Sequence, residues 1–206
     1  LREAAAIIDR LPGAGGADGA ALPRLRALLA LARGDAHAAL ATLAPVVDRS
    51  AGPPAALLPL FVTAAVRAGD TAAARRAVER ERTSAAAPGD AFAIELARGE
   101  LAAAGGDHGA AEARLRSAVA HADAGGVPAE RARAACAYAR QLIAAGKLDQ
   151  ASAVVGELAP YADRDFRVAQ VTAALFHALG ERALGERADA RLHALAGERR
   201  VDVPVP

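Results

Sequence analysis

Five histidines, one cysteine and an abundance of arginine are the groups in this chain with chemistry to offer, and their spacing decides what each can do. The histidines stand at 37, 108, 121, 177 and 193. No two share the i, i+4 spacing by which one helical face holds a metal ion. His177 and Glu181 are four apart, but Gly180 between them ends the helix that would align them. Cys136 lies among Ala134, Ala135 and Ala137, with no histidine near it in sequence to take its proton, and reads as an inert thiol. Gly146-Lys147 could close a phosphate-binding loop. However, Gln141 stands where that loop needs its first glycine, and Leu148 where it needs a Ser or Thr. The glycines between 13 and 19 follow a helical pattern instead of a strand, so a dinucleotide-binding loop lacks its setting. Arg33-Gly34-Asp35 is accounted for by a turn and a helix cap. There is no Gly-x-Ser-x-Gly elbow. No catalytic residue, no cofactor site and no metal site is therefore expected.

What remains is charge on helices. The chain has 206 residues with 25 basic and 24 acidic side chains, a balance that points to no polyanion as partner. The densest basic run, Arg75 to Arg82, is interrupted by Glu79 and Glu81, and Glu79 can pair with Arg75 and Arg76 along the helix. It has no aromatic residues to stack bases. It reads as an exposed outer helix face, and nucleic acid is not an expected partner. Every basic residue but Lys147 is arginine and there is no asparagine, the signature of a GC-rich coding sequence. Hydrophobic residues make up 53% and aromatics only 3%, alanine supplying much of the apolar count. Alanine loses no rotamer freedom in a helix, so the composition favours thin helices packed closely. No run of 18 apolar residues exists to span a bilayer. The chain begins at Leu1 without a signal peptide and has no methionine, and is expected to be a piece of a longer protein.

The elements that must position these charges are marked by five turns. They contain Gly34, Gly69, Gly106, Gly146 and Gly180, spaced by 35, 37, 40 and 34 residues. A period in this range means stacked supersecondary units. Each glycine suits the left-handed turn at a helix C-terminus. Asp35, Asp70, Asp107 and Asp149 suit the start of the next helix, as caps and as charges favoured by its dipole. Apolar residues at helical spacing fill the intervals, and no stretch alternates like a strand. Helices are predicted from 1 to 11, with Ala4, Ile7, Ile8 and Leu11 inward, and from about 20 to 33, with Leu22, Leu25, Leu28, Leu29 and Ala32 inward. Others follow from the first turn to 49, then over 57–68, 71–83, 90–104, 109–124, 128–145, 148–161, 165–179 and 182–199. Pro12, Pro53, Pro54, Pro88, Pro128 and Pro160 punctuate them. The expected organisation is one helical-repeat domain over 1–200. Its units are a partial one at 1–11 and hairpins at 20–49, 55–84, 90–124, 128–161 and 165–199, with a flexible tail at 201–206.

The turn glycine followed five residues later by a small residue (Ala39, Ala74, Ala111, Ala151 and Gly185) resembles the tetratricopeptide repeat family. Gly146-Lys147-Leu148-Asp149-Gln150-Ala151 is the best single match. Gly99 stands where that family often has a glycine in its first helix. The signature tryptophan is absent and the spacings of 37 and 40 exceed the family norm. The resemblance implies an all-α solenoid of about five hairpins in a right-handed superhelix, whose first helices line a concave groove. The family's groove positions, counted back from each turn glycine, fall on Arg24, Thr63, Arg67, Glu100, Arg133, Arg140, Arg167, Gln170 and His177. That set is basic, above all in the last two hairpins, and guanidinium forks suit carboxylates. The family's carboxylate clamp of lysines and asparagines is not present. The implied function is a protein–protein interaction or scaffolding module of a larger bacterial signalling or regulatory protein. Its groove would take an acidic or C-terminal peptide, or a neighbouring domain. The alternative is an effector-sensing domain controlling an attached transcription-regulator or kinase domain, marked by a closed, arginine-lined pocket near Arg133, Arg140 and Arg167. The expected location is the cytoplasm, in a parent that could itself be membrane-anchored.

Overall fold

Turn chemistry explains where the helices stop and start. In the computed structural model, residues 1–10, 20–49, 54–82 and 90–201 are described. The five turn glycines all adopt left-handed backbone, with φ between +71° and +80°. At each, the amide three residues past the helix end reaches back to close the last turn, as from Asp35 N to Ala30 O at 2.9 Å. Asp35, Asp70 and Asp107 then open the next helix, each Oδ1 accepting the amide three residues on at 2.9 Å. Asp149 departs from the expectation. Two residues separate it from Gly146 where the other aspartates follow their glycine directly. The helix therefore begins at Leu148, and Asp149 sits inside its first turn without capping it.

Eleven α-helices result, and no strand, among the described residues: α1 (Arg2–Arg10), α2 (Ala21–Ala32), α3 (Ala36–Arg49), α4 (Leu58–Arg67), α5 (Thr71–Arg82), α6 (Ala91–Ala104), α7 (His108–Gly125), α8 (Pro128–Ala144), α9 (Leu148–Glu157), α10 (Phe166–Ala178) and α11 (Arg182–Ala196). Bounds agree with the predicted ones to within a few residues. The clearest exception is α9, expected to reach Tyr161 but ended at Glu157. Pro160 cannot continue an α-helix, and residues 159–161 form a 3-10 turn instead. The expected breaks around Gly13–Gly16, at Gly52-Pro53 and at Pro88-Gly89, and the tail beyond Val201, lie outside the described residues.

The helices pair as hairpins and pack in two layers. The first helices of the hairpins, α2, α4, α6, α8 and α10, touch one another in succession. The second helices lie behind them; α3 wedges against both α2 and α4, and α7 against both α6 and α8. Small residues set the spacing. Ala39, Ala74, Ala111 and Ala151 are fully buried, and Gly185 is buried as well. Gly99 marks the closest crossing: a Cβ there would stand 2.6 Å from Leu115 of α7. Two apolar stripes fall short of expectation. In α1 only Ile8 is buried and Ile7 is 55% exposed, because α2 is the one helix that α1 packs against substantially. In α2, Leu25 and Leu28 are more than 40% exposed, and Leu28 borders a cavity instead of a core.

The expectation of an exposed outer face over 75–82 holds only in part, because some acidic residues are buried. Glu81 and Glu95 are 4% and 9% exposed. Arg98 of α6 donates to both, Nη2 to Glu81 at 3.0 Å and Nη1 to Glu95 at 3.0 Å, while Arg114 of α7 donates to Glu95 at 3.2 Å. The stretch 75–82 is thus exposed at Arg75, Arg76 and Glu79, but its end is built into a buried ion-pair network joining α5, α6 and α7.

The two ends of the array meet. The amide of Arg2 donates to Glu198 Oε2 at 2.9 Å, and the amide of Arg200 donates to Ala32 O at 2.9 Å. The aliphatic stem of Arg200 lies directly over Gly34. The segment after α11 therefore returns to α2, the start of the first complete hairpin.

Candidate functional site

Five helices each turn one stripe toward a common cavity of about 590 Å³. The stripes follow helical spacing. They are Arg24, Leu28 and Leu31 on α2; Leu60, Thr63 and Arg67 on α4; Phe92, Ala93 and Glu100 on α6; Arg133, Cys136 and Arg140 on α8; and Phe166, Arg167 and Gln170 on α10. Among the described residues, none from the second helices lines it. Arg199 and Arg200, brought round by the meeting of the ends, complete the wall.

Eight of the nine residues selected by counting back from the turn glycines are thereby brought together: Arg24, Thr63, Arg67, Glu100, Arg133, Arg140, Arg167 and Gln170. His177 is not among them. It sits in the last turn of α10, where α11 doubles back, and its ring packs over Gly185 with Nε2 2.8 Å from Asp189 Oδ2. Its partners belong to the α10–α11 crossing.

Seven arginines and three carboxylates (Asp90, Glu100 and Glu130) line the cavity. Arg167 is held by Asp165, whose Oδ2 accepts from Nη2 at 2.6 Å and whose Oδ1 accepts from Nε at 3.1 Å. Glu100 is oriented across the α4–α6 contact by the Thr63 hydroxyl, 2.8 Å from its Oε2. Arg24, Arg67, Arg133 and Arg140 make no hydrogen bond or ion pair with another described residue. Arg133 is the most enclosed of these. Burial lowers its pKa from the ordinary guanidinium value, and Arg167, Arg24 and Arg140 push the same way against the opposing pull of Glu100. It remains a cation at neutral pH and lines the cavity.

Cys136 also borders the cavity, between Arg133 and Arg140 on the same helix. Burial pushes its thiol up to about 11, against the pull of Arg140 and Arg167. At neutral pH it is a thiol and a weak nucleophile. Among the described residues, no three His, Cys, Asp or Glu side chains come close enough to share a metal ion. No helix among them is long and apolar enough to cross a membrane.

Sequence reasoning missed the apolar wall of Leu28, Leu31, Leu60 and Phe92, and the arginines at 199 and 200. The leucines at 28 and 31 carried a signal, since they share the face of Arg24. Arg199 and Arg200 carried none, because they reach the cavity through the joining of the ends. Compared with known proteins, the chain matches no family model and no curated protein sequence.

Proposed function

We propose that this chain is a recognition module of a larger bacterial signalling or regulatory protein. In this reading its hairpins form a right-handed tetratricopeptide-like superhelix, and it serves protein–protein interaction by holding an acidic segment of a partner against the inner helices. The supporting observation is the convergence of eight polar residues from five hairpins on one cavity, four of them arginines that make no hydrogen bond or ion pair with another described residue. Guanidinium groups left without acceptors in a recess are the donors a carboxylate-bearing ligand needs. Screening a display library of acidic peptides against the purified chain tests this. Binders are expected, and R133E and R140E should each abolish their binding without loss of helical circular dichroism. Binding that survives both substitutions would remove the cavity from the reading.

A second reading, an effector-sensing domain that controls an attached regulator or kinase domain, is favoured by one observation. The cavity is bounded on all five hairpins and by the returning C-terminal segment. Its volume lies within the range of about 300–1,000 Å³ typical of small-molecule sites.

A further inference from the structure

We propose that the cavity is the binding site of a small organic dianion, a dicarboxylate or a phosphate monoester bearing an apolar group. The inference rests on the reading of the cavity as the chain's recognition face and names the chemistry it selects.

Charge sets the number of negative groups. Arg24, Arg133, Arg140 and Arg167 are close enough for the charges of the other three to act on Arg133. The carboxylates that answer them are Glu100, which acts on Arg133, and Asp165, which is hydrogen-bonded to Arg167. Over the whole cavity, seven arginines against Asp90, Glu100, Glu130 and Asp165 leave an excess of three positive charges, more than a single negative group can neutralise. The half-buried Arg133 guanidinium has no hydrogen-bond acceptor among the described residues, so its donors are open to an entering oxyanion.

Geometry sets the fork. Arg133 and Arg140 are two helical turns apart on one face of α8, and Arg167 reaches across from the adjacent helix α10. Planar guanidinium groups arriving from two helices suit oxygens of one or two neighbouring acidic groups. Leu28, Leu31, Leu60 and Phe92 add an apolar part to the same lining. Exposure of Leu28 at 45% in a chain with few large exposed apolar side chains is accounted for if a ligand covers it.

Size separates a small molecule from a folded segment. A helix about 10 Å across would fill the cavity in fewer than two turns. The volume suits a compact ligand that meets both the charged and the apolar residues of the lining.

The experiment is calorimetric titration of the full chain with phenylsuccinate and with phenyl phosphate, alongside thermal melts. Phenylacetate, with one charge, and inorganic phosphate, without an apolar group, are the comparisons. At least one of the two dianions should bind and raise the melting temperature, the responsive one identifying the carboxylate or the phosphate ester. Phenylacetate should bind about tenfold more weakly or worse, and Arg133→Gln and Arg140→Gln should each cost about tenfold or more. Arg140 is exposed, so its substitution tests the site with the fold intact. Arg75→Gln, on the outer face of α5, should change nothing, which separates the site from general attraction to positive charge. The bound dianion should also slow alkylation of Cys136. Failure of both dianions to bind at millimolar concentration, or binding unaffected by Arg133→Gln and Arg140→Gln, overturns the inference. If acidic peptides bind through Arg133 while both dianions fail, the recognition reading survives and the small dianion does not. If nothing bound depends on Arg133 or Arg140, both fall.

Discussion

Asp165 does two things at the start of α10. Its Oδ1 accepts the Arg167 amide at 2.9 Å, which caps the helix, and its carboxylate holds the Arg167 guanidinium at the cavity wall. Asp165→Ala should cost about 1 kcal/mol for the cap alone, read by denaturant unfolding. Burial raises the Asp165 pKa, but the hydrogen bonds and charge of Arg167 outweigh it and hold it below the ordinary aspartate value of 3.8. A depressed folded pKa means a stabilising contribution present above the unfolded value and lost as pH falls through the folded one. The stability gap between the wild type and Asp165→Asn should therefore be constant at neutral pH and shrink below about pH 4. Cys136 shows the opposite sign. With its thiol pushed up to about 11, its alkylation rate in the folded chain should keep rising about tenfold per pH unit through pH 10. An ordinary cysteine would level off near pH 9. At this scale the sequence was legible where residues share a helix face, as Arg133 and Arg140 do, while the cap and ion pair that Asp165 makes with Arg167 two residues on went unread. It was illegible where partners are distant, as for Glu81, whose cation Arg98 lies 17 residues on and on another helix.

The hairpin is the element that the turns made readable. Gly146 needs left-handed backbone at φ +71°, and the same holds at the four other turns. Such a local requirement survives whatever the hairpin packs against, so boundaries and caps were legible almost throughout. Asp149 and the early end of α9 were exceptions with local causes, an enlarged turn and a proline. Burial was less legible, because α1 and α2 have apolar stripes that only tertiary contact could have covered. Gly99 and Ala151 test the crossings. Gly99→Ala would drive a methyl against Leu115 and should cost about 1–3 kcal/mol. In a double-mutant cycle, Gly99→Ala with Leu115→Ala should cost less than the two changes summed, since truncation makes the room. Ala151→Arg, at a position with no exposure, should destabilise by about 3 kcal/mol or more through overpacking and a buried charge. An unchanged melt for that variant would refute the assigned register.

For the whole molecule, the contact between residues 198–200 and the first helices matters more than any single hairpin. Glu198 reaches Arg2 and Arg200 reaches Ala32, so the segment after α11 walls the cavity as well as joining the first helices. Deleting residues 197–206 should lower the melting temperature and speed alkylation of Cys136, by uncovering the cavity it borders. This joint was invisible to a reading based on periodicity, since a repeat predicts its neighbours and never where the row of them ends. An open row of hairpins is forgiving: stability adds unit by unit, the outermost units fray, and one more or one fewer changes only length. A row whose first and last members touch is subject to a counting rule, as staves are in a cask. Each hairpin's width and turn must sum to the gap they jointly close, and the longer 37- and 40-residue spacings become part of that sum. Excising the hairpin at 128–161 would leave ends that no longer meet, and a loss of cooperativity across the remaining four.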